Sequence, residues 1–200
     1  SPRPPKQVII AAENKSLRHT LLMPFSNRPF RFLLSAFLLN GIAAAIPATL
    51  VLFFVQDVIG RSDLAAAFLM VYFLAGAIGM PVWVWLARRI GKRGAWRAGM
   101  VLSLISFVWA FTLSRGDVTV FMIICTLSGL GLGADLALPP SMLADVIDHD
   151  EASGKPRNEG AYFGLWNLVT KLNLALAAGI ALPLLSRLGY IPGAAAPSAQ

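Results

Sequence analysis

Acidic residues are scarce, with 10 Asp and Glu against 17 Lys and Arg, and charged residues of either sign make up only 14% of the 200 residues. A soluble domain carries about a quarter, so a soluble globular protein is excluded. Cysteine is nearly absent: Cys125 stands alone, which rules out an intrachain disulfide and any cysteine-cluster metal site and leaves the redox compartment unreadable. Histidine is limited to His19 and His149, and neither has a metal-ligating or catalytic partner nearby in sequence. No nucleophile with a base stands out either, so no cofactor, no metal site and no enzyme are expected. The first seven residues are proline-rich and basic, without an apolar stretch before a small-residue cleavage site, and read as a loop rather than a secretory signal.

What the chain has in abundance is apolar surface. Hydrophobic residues make up 56% and the mean hydropathy is +0.67. They come in long runs, and about 18 or more apolar residues are needed to cross a hydrocarbon core of ~30 Å. Five runs are drawn, at about 32–54, 64–86, 98–113, 118–143 and 161–185, the third being short. Helices are expected in all five because lipid cannot satisfy an open backbone. The fold class is therefore all-α, a polytopic transmembrane bundle.

The net charge of +7 is unevenly spread. Six basic residues precede the first run, five lie between the second and third, and Lys155 and Arg157 lie between the fourth and fifth; the opposite side receives only Arg61, Arg115 and Arg187. This asymmetry assigns the N-terminus and those two loops to the cytoplasm. No recognition module accompanies the charge, so no nucleic-acid partner is expected; the bilayer is. Five spans put the C-terminus outside, and the chain is read as a piece of a longer protein, with 1–27 a cytoplasmic loop, 28–188 the bundle and 189–200 an external loop.

Charges inside the membrane are the informative residues, since each costs about 2.5–3.5 kcal/mol at a helix centre on insertion scales. Asp135 lies ten residues before Asp145, and Lys171 twelve after Glu159, which places them about 15 and 18 Å deep at 1.5 Å per residue. They form either a structural ion pair or a substrate or coupling site. At ~100° per residue, Gly164, Asn167, Lys171, Ala175 and Ala178 share one stripe, suited to a polar cavity or, for the small residues, to close packing. Asn173 points away and reads as structural. In the first run Asn40 is a cavity residue or an amide satisfied by a neighbour, and Pro47 supplies a kink.

The glycine run at 129–133 does not match a nucleotide-binding fingerprint and reads as a packing surface, with Pro139-Pro140 bending the helix beside Asp135. Trp83, Trp85 and Trp96 read as interfacial anchors, and Trp166 either as part of the packing or as a platform for a sugar ring. Two charged loops face each other across the predicted cytoplasmic side. One is acidic, with Asp145, Asp148, Asp150, Glu151 and Glu159 around Lys155 and Arg157, and His149 among them. The other is basic, with Arg88, Arg89, Lys92, Arg93 and Arg97. They are a solvated surface or a set of gating ion pairs.

The motifs NRPFR (27–31), ARRIGKR (87–93) and above all PPSMLADVIDHDEASGKPRNEGAYFGLWNLVTKL (139–172) resemble the glycoside-pentoside-hexuronide:cation symporters, the melibiose-carrier family of the major facilitator superfamily. The resemblance covers about 27–193. It implies helices seven to eleven of a twelve-helix fold, alternating access, a sugar substrate and a coupling sodium, lithium ion or proton. The cation ligands are expected in the N-terminal half of the same protein, and the location in a bacterial cytoplasmic membrane. By position, Lys171 matches a functionally important lysine of helix eleven, with Asn167 one turn before it. Substrate contacts are thus expected from Lys171, Asn167, Asp135 and Asn40. Gating is expected from Asp145, Asp148, Arg157 and Glu159, with Arg88 and Arg93 opposite. The melibiose carriers place a tryptophan where this chain has Leu136, a departure from a melibiose-like site. The alternatives are a superfamily carrier of a lipid or other non-sugar substrate, and a non-transporting membrane scaffold.

Overall fold

The computed structural model describes residues 22–154 and 158–187. Among them there are five long helices and no strand: α1 (Arg28–Phe53), α2 (Ala65–Ile90), α3 (Lys92–Ala110), α4 (Val118–Ala152) and α5 (Glu159–Arg187). The chain is an all-α polytopic bundle. Three helical stretches, Arg28–Ile59, Ser62–Ile90 and Val118–Ala152, are long and apolar enough to cross a membrane.

Helix ends follow the local chemistry. Asn27 caps α1 by accepting the Phe30 N–H at 3.1 Å, with Pro29 in the first turn, where its missing N–H costs nothing. Beyond Phe53 the helix widens into a π turn, Phe54–Ile59. A short turn follows, carrying the Arg61–Asp63 ion pair at 2.8 Å. Gly91 alone separates α2 from α3, at φ 81°, a left-handed conformation that an L side chain resists. That one residue reverses the chain and leaves the basic residues of 87–97 helical rather than in a loop.

Helix α4 departs further from expectation. It continues nine residues past the apolar run to Ala152, so Asp145, Asp148, His149, Asp150 and Glu151 are helical, not loop residues. The extension is anchored by buried Asp150, which accepts a hydrogen bond from the Tyr162 hydroxyl of α5. Pro139-Pro140 does not interrupt the helix. Their missing N–H groups leave the backbone carbonyls of Asp135 and Leu136 without their regular partners four residues on. Pro47, Pro81 and Pro183 likewise lie inside continuous helices.

The helices form two packing groups. In the first, α4 lies against both α2 and α3; in the second, α5 packs mainly on α1, and α1 touches α4. The 129–133 glycine run explains the closeness of the first group. Gly129 and Gly133, four residues apart, face α2, where a Cβ on Gly133 would come within 2.6 Å of the Gly76 carbonyl oxygen. Gly131, about 200° round the helix, faces Gly99 and Ser103 of α3 instead. The packing reading of these glycines is the one the structure bears out.

Two apolar clusters fill the bundle. Near the end bearing Lys92 and Asp145, Phe30, Leu34, Trp96, Leu138, Leu143 and Tyr162 pack together. Near the other end, Val55, Ile59, Phe68, Phe121 and Ile124 do. Trp83 and Trp96 belong to the first cluster, at 8% and 4% exposure, so neither is an interfacial anchor. Both rings are drawn inward by an N–H that finds a partner inside: Trp83 donates to the Leu130 carbonyl at 2.7 Å, and Trp96 to Asp135. Trp85 is exposed, with the Arg89 guanidinium 5.2 Å from its ring centre.

Candidate functional site

The polar residues at mid-depth fall into two places. The first is centred on Asp135 of α4, half-buried. Its Oδ1 accepts from Asn40 Nδ2 of α1 at 2.9 Å and from Trp96 Nε1 of α3 at 2.6 Å. One carboxylate oxygen thus ties three helices. Asn40 is an amide satisfied by a neighbour. Asp135 and Lys171 do not pair, despite their matching depth on consecutive helices. The reason is topological: α5 lies mainly on α1, not on α4.

The second place is α5, whose two faces differ. Tyr162, Trp166, Asn173 and Ala177 are buried and fall within about 60° of one another at the helical step. This face meets α1: Trp166 stacks on Phe37 with ring centroids 3.9 Å apart, and a Cβ on Gly41 would overlap the Asn173 carboxamide. Trp166 is therefore a packing residue, not a ring open to a sugar. Asn173 Oδ1 is buried without a partner. On the opposite face Gly164, Asn167, Lys171 and Ala175 are all exposed, and Gly164 has nothing within 4 Å of where its Cβ would be. No described helix covers this face. Leu168, Leu172 and Leu174, 52%, 43% and 67% exposed, flank it.

At the basic end the two charged segments do meet. Lys92 Nζ lies 2.7 Å from both carboxylate oxygens of Asp145 and 3.2 Å from the Ser141 carbonyl. The partner is Lys92, not Arg88 or Arg93, which are both exposed with no carboxylate in ion-pair reach. Asp148 is exposed, and Glu159 opens α5. Arg157 lies outside the described residues. A cleft of about 1100 Å³ opens here between α1, α3 and the end of α4, lined by Phe32, Arg93, Trp96, Arg97, Met142 and His149 among others. Among the described residues no group of His, Cys, Asp or Glu is arranged to hold a metal ion.

Two of these partners were missed in the sequence: Trp96, taken as an anchor, and Lys92, left among undifferentiated basic residues. Helical periodicity offered a signal for both. Lys92, Trp96, Gly99 and Ser103 recur at spacings of four, three and four, one face of a helix. In the structure that face meets Asp145, Asp135, Ala134 and Gly131 of α4 in turn.

A bundle of long apolar helices carrying a lysine, an aspartate and amides within them is a polytopic membrane protein. The MFS/sugar transport protein family matches residues 5–200, and the chain belongs to that family. Among curated proteins it is similar to an uncharacterized symporter from Synechocystis, 26% identical over 185 residues, which cover 90% of this chain and 34% of the relative. It is also similar to a sphingosine-1-phosphate transporter from Xenopus tropicalis, 28% identical over 155 residues, 76% of this chain and 30% of the relative. The human sodium-dependent lysophosphatidylcholine symporter 1 is 25% identical over 172 residues, 85% of this chain and 32% of the relative. The chain thus spans about a third of the length of these relatives.

Proposed function

We propose that the whole protein is a cation-coupled secondary carrier of a lysophospholipid-like amphiphile, working by alternating access, with the α5 stripe facing its central cavity. The observation that carries this reading is the stripe itself: a cation and an amide, Lys171 and Asn167, bordered by exposed leucines on a face that no described helix covers. A lone ammonium at mid-depth is costly unless it faces a polar cavity, and the ~two-thirds of length found only in the relatives would supply the opposite wall. The pairing of one charged head contact with leucines suits an anionic phosphate joined to a single long hydrocarbon chain. The named substrates of the lysophosphatidylcholine and sphingosine-1-phosphate relatives have that chemistry. A sugar site would call for an aromatic platform, and Trp166 is turned to the other face. Sugar:cation symport remains the second reading, favoured by the description of the family. In either case the basic end faces the cytoplasm by the charge asymmetry.

The test is sodium-gradient-driven uptake by the full-length protein in proteoliposomes, comparing labelled lysophosphatidylcholine with a panel of glycosides, pentosides and uronides. Gradient-dependent uptake of the lysolipid is expected. Uptake of a sugar without the lysolipid would overturn the reading and restore the sugar symporter.

The Lys92–Asp145 pair is proposed to hold the basic end closed in one state of the cycle. Its partners are partly exposed, so it contributes on the order of 0.2–1 kcal/mol to stability, and its weight lies in the balance between states. Asp145→Lys is expected to slow uptake several-fold, and the charge-exchanged double variant Lys92→Asp, Asp145→Lys to recover most of it. A double variant no better than the single one would dismiss the gate.

A further inference from the structure

We infer that Asp135 is a proton-binding group of this half of the carrier, and that its protonation loosens the seam between the α1–α5 pair and the α2–α3–α4 group. The inference goes beyond the substrate reading and does not depend on it.

The groups around Asp135 show a carboxylate without a counter-charge. From α1 it meets the neutral Asn40, and that helix holds only Arg28 and Arg31, nine or more residues away near its start. From α2 the titratable side chain on the face turned to α4 is the phenol of Tyr72. From α3 it meets the Trp96 indole. The cations of α3 are occupied or outward: Lys92 binds Asp145, while Arg93 and Arg97 are exposed. From α5, Tyr162 bonds to Asp150, and Lys171 is on the face turned from α1. On α4 itself the next acid, Asp145, is ten residues on.

A carboxylate at this depth without a counter-charge has two states, each with its own compensation. It can be ionised with both N–H donors on Oδ1, or neutral after taking a proton from water on Oδ2, to which no hydrogen bond is directed. Hydrogen bonds to the ionised form are about twice as strong as to the neutral one. Protonation therefore weakens both ties at once, to α1 and to α3. Among the described residues the tie to α1 is one of two side-chain hydrogen bonds between the packing groups, the other being Tyr162 to Asp150 at the basic end. Because Asp135 is only half-buried, the proton has access without any helix unpacking.

The experiment is a pH titration of the purified full-length protein by infrared difference spectroscopy, read at the carboxylic-acid carbonyl stretch. Wild type is expected to show a protonation band that Asp135→Asn lacks. Asn40→Ala and Trp96→Phe should each move the midpoint of that band upward by about one pH unit, since each removes a donor that favours the ionised form. A spectrum unchanged by Asp135→Asn, or donor variants with the wild-type midpoint, would overturn the proposal. Should Asp135→Asn not be recovered, the two donor variants decide the matter alone. The readout needs no substrate, so its failure is separate from failure of the uptake assay.

Discussion

Alanine at Lys171 in the full-length protein is expected to reduce gradient-driven uptake by about ten- to a hundred-fold, the range that corresponds to losing a charge-assisted hydrogen bond of roughly 1.5–3 kcal/mol. The protein should still insert and purify as before. Lys171 is exposed and makes no hydrogen bond or ion pair with any described residue, so its removal deletes no described contact, and it relieves the cost of a charge at mid-depth. Lys171→Arg keeps the charge on a longer, planar group and should retain part of the activity. Uptake and yield measured side by side check the point. An alanine variant as active as wild type would remove Lys171, and the stripe around it, from the transport pathway.

The second large effect concerns stability. Gly133→Val is expected to destabilise the bundle by about 1–3 kcal/mol or more, the usual cost of forcing volume into a filled contact. Here the obstruction is the backbone of α2: a Cβ at Gly133 would sit 2.6 Å from the Gly76 oxygen and 3.0 Å from the Met80 nitrogen. Backbone cannot swing aside as a side chain can, so the two helices must separate along their length. Gly164→Ala is the control, since nothing lies within 4 Å of the added atom. Thermal melting with size-exclusion monitoring in detergent should show early loss of the monodisperse peak for Gly133→Val and none for Gly164→Ala. Equal melting of the two would contradict the close approach of α2 and α4.

The helices were legible in the sequence as apolar runs, and all five runs became helices, three of them of the length that bilayer thickness sets. Their ends were less so. The turn at Gly91 and the charged extension of α4 to Ala152 depend on one glycine conformation and on a buried Asp150–Tyr162 contact, neither of which hydropathy registers. Within the site, the α5 stripe was readable, because the periodicity of one helix is enough to separate Lys171 and Asn167 from Trp166 and Asn173. Which helices would be neighbours was not readable. Matching depth suggested that Asp135 faces Lys171, whereas the packing of α5 on α1 gives Asp135 to Asn40 and Trp96 instead. The tryptophans misled for a related reason: indole is amphipathic, and whether its N–H finds water at an interface or an acceptor inside depends on the partner helix.

Backbone contact through Gly76, Gly129 and Gly133 leaves no compressible side-chain layer between α2 and α4 at that level. The pair transmits force as a single beam, while the α1–α5 pair meets α4 through side chains that can re-seat. A shift of the α1–α5 pair against α4 therefore meets side-chain contacts, and a shift of α2 against α4 meets backbone.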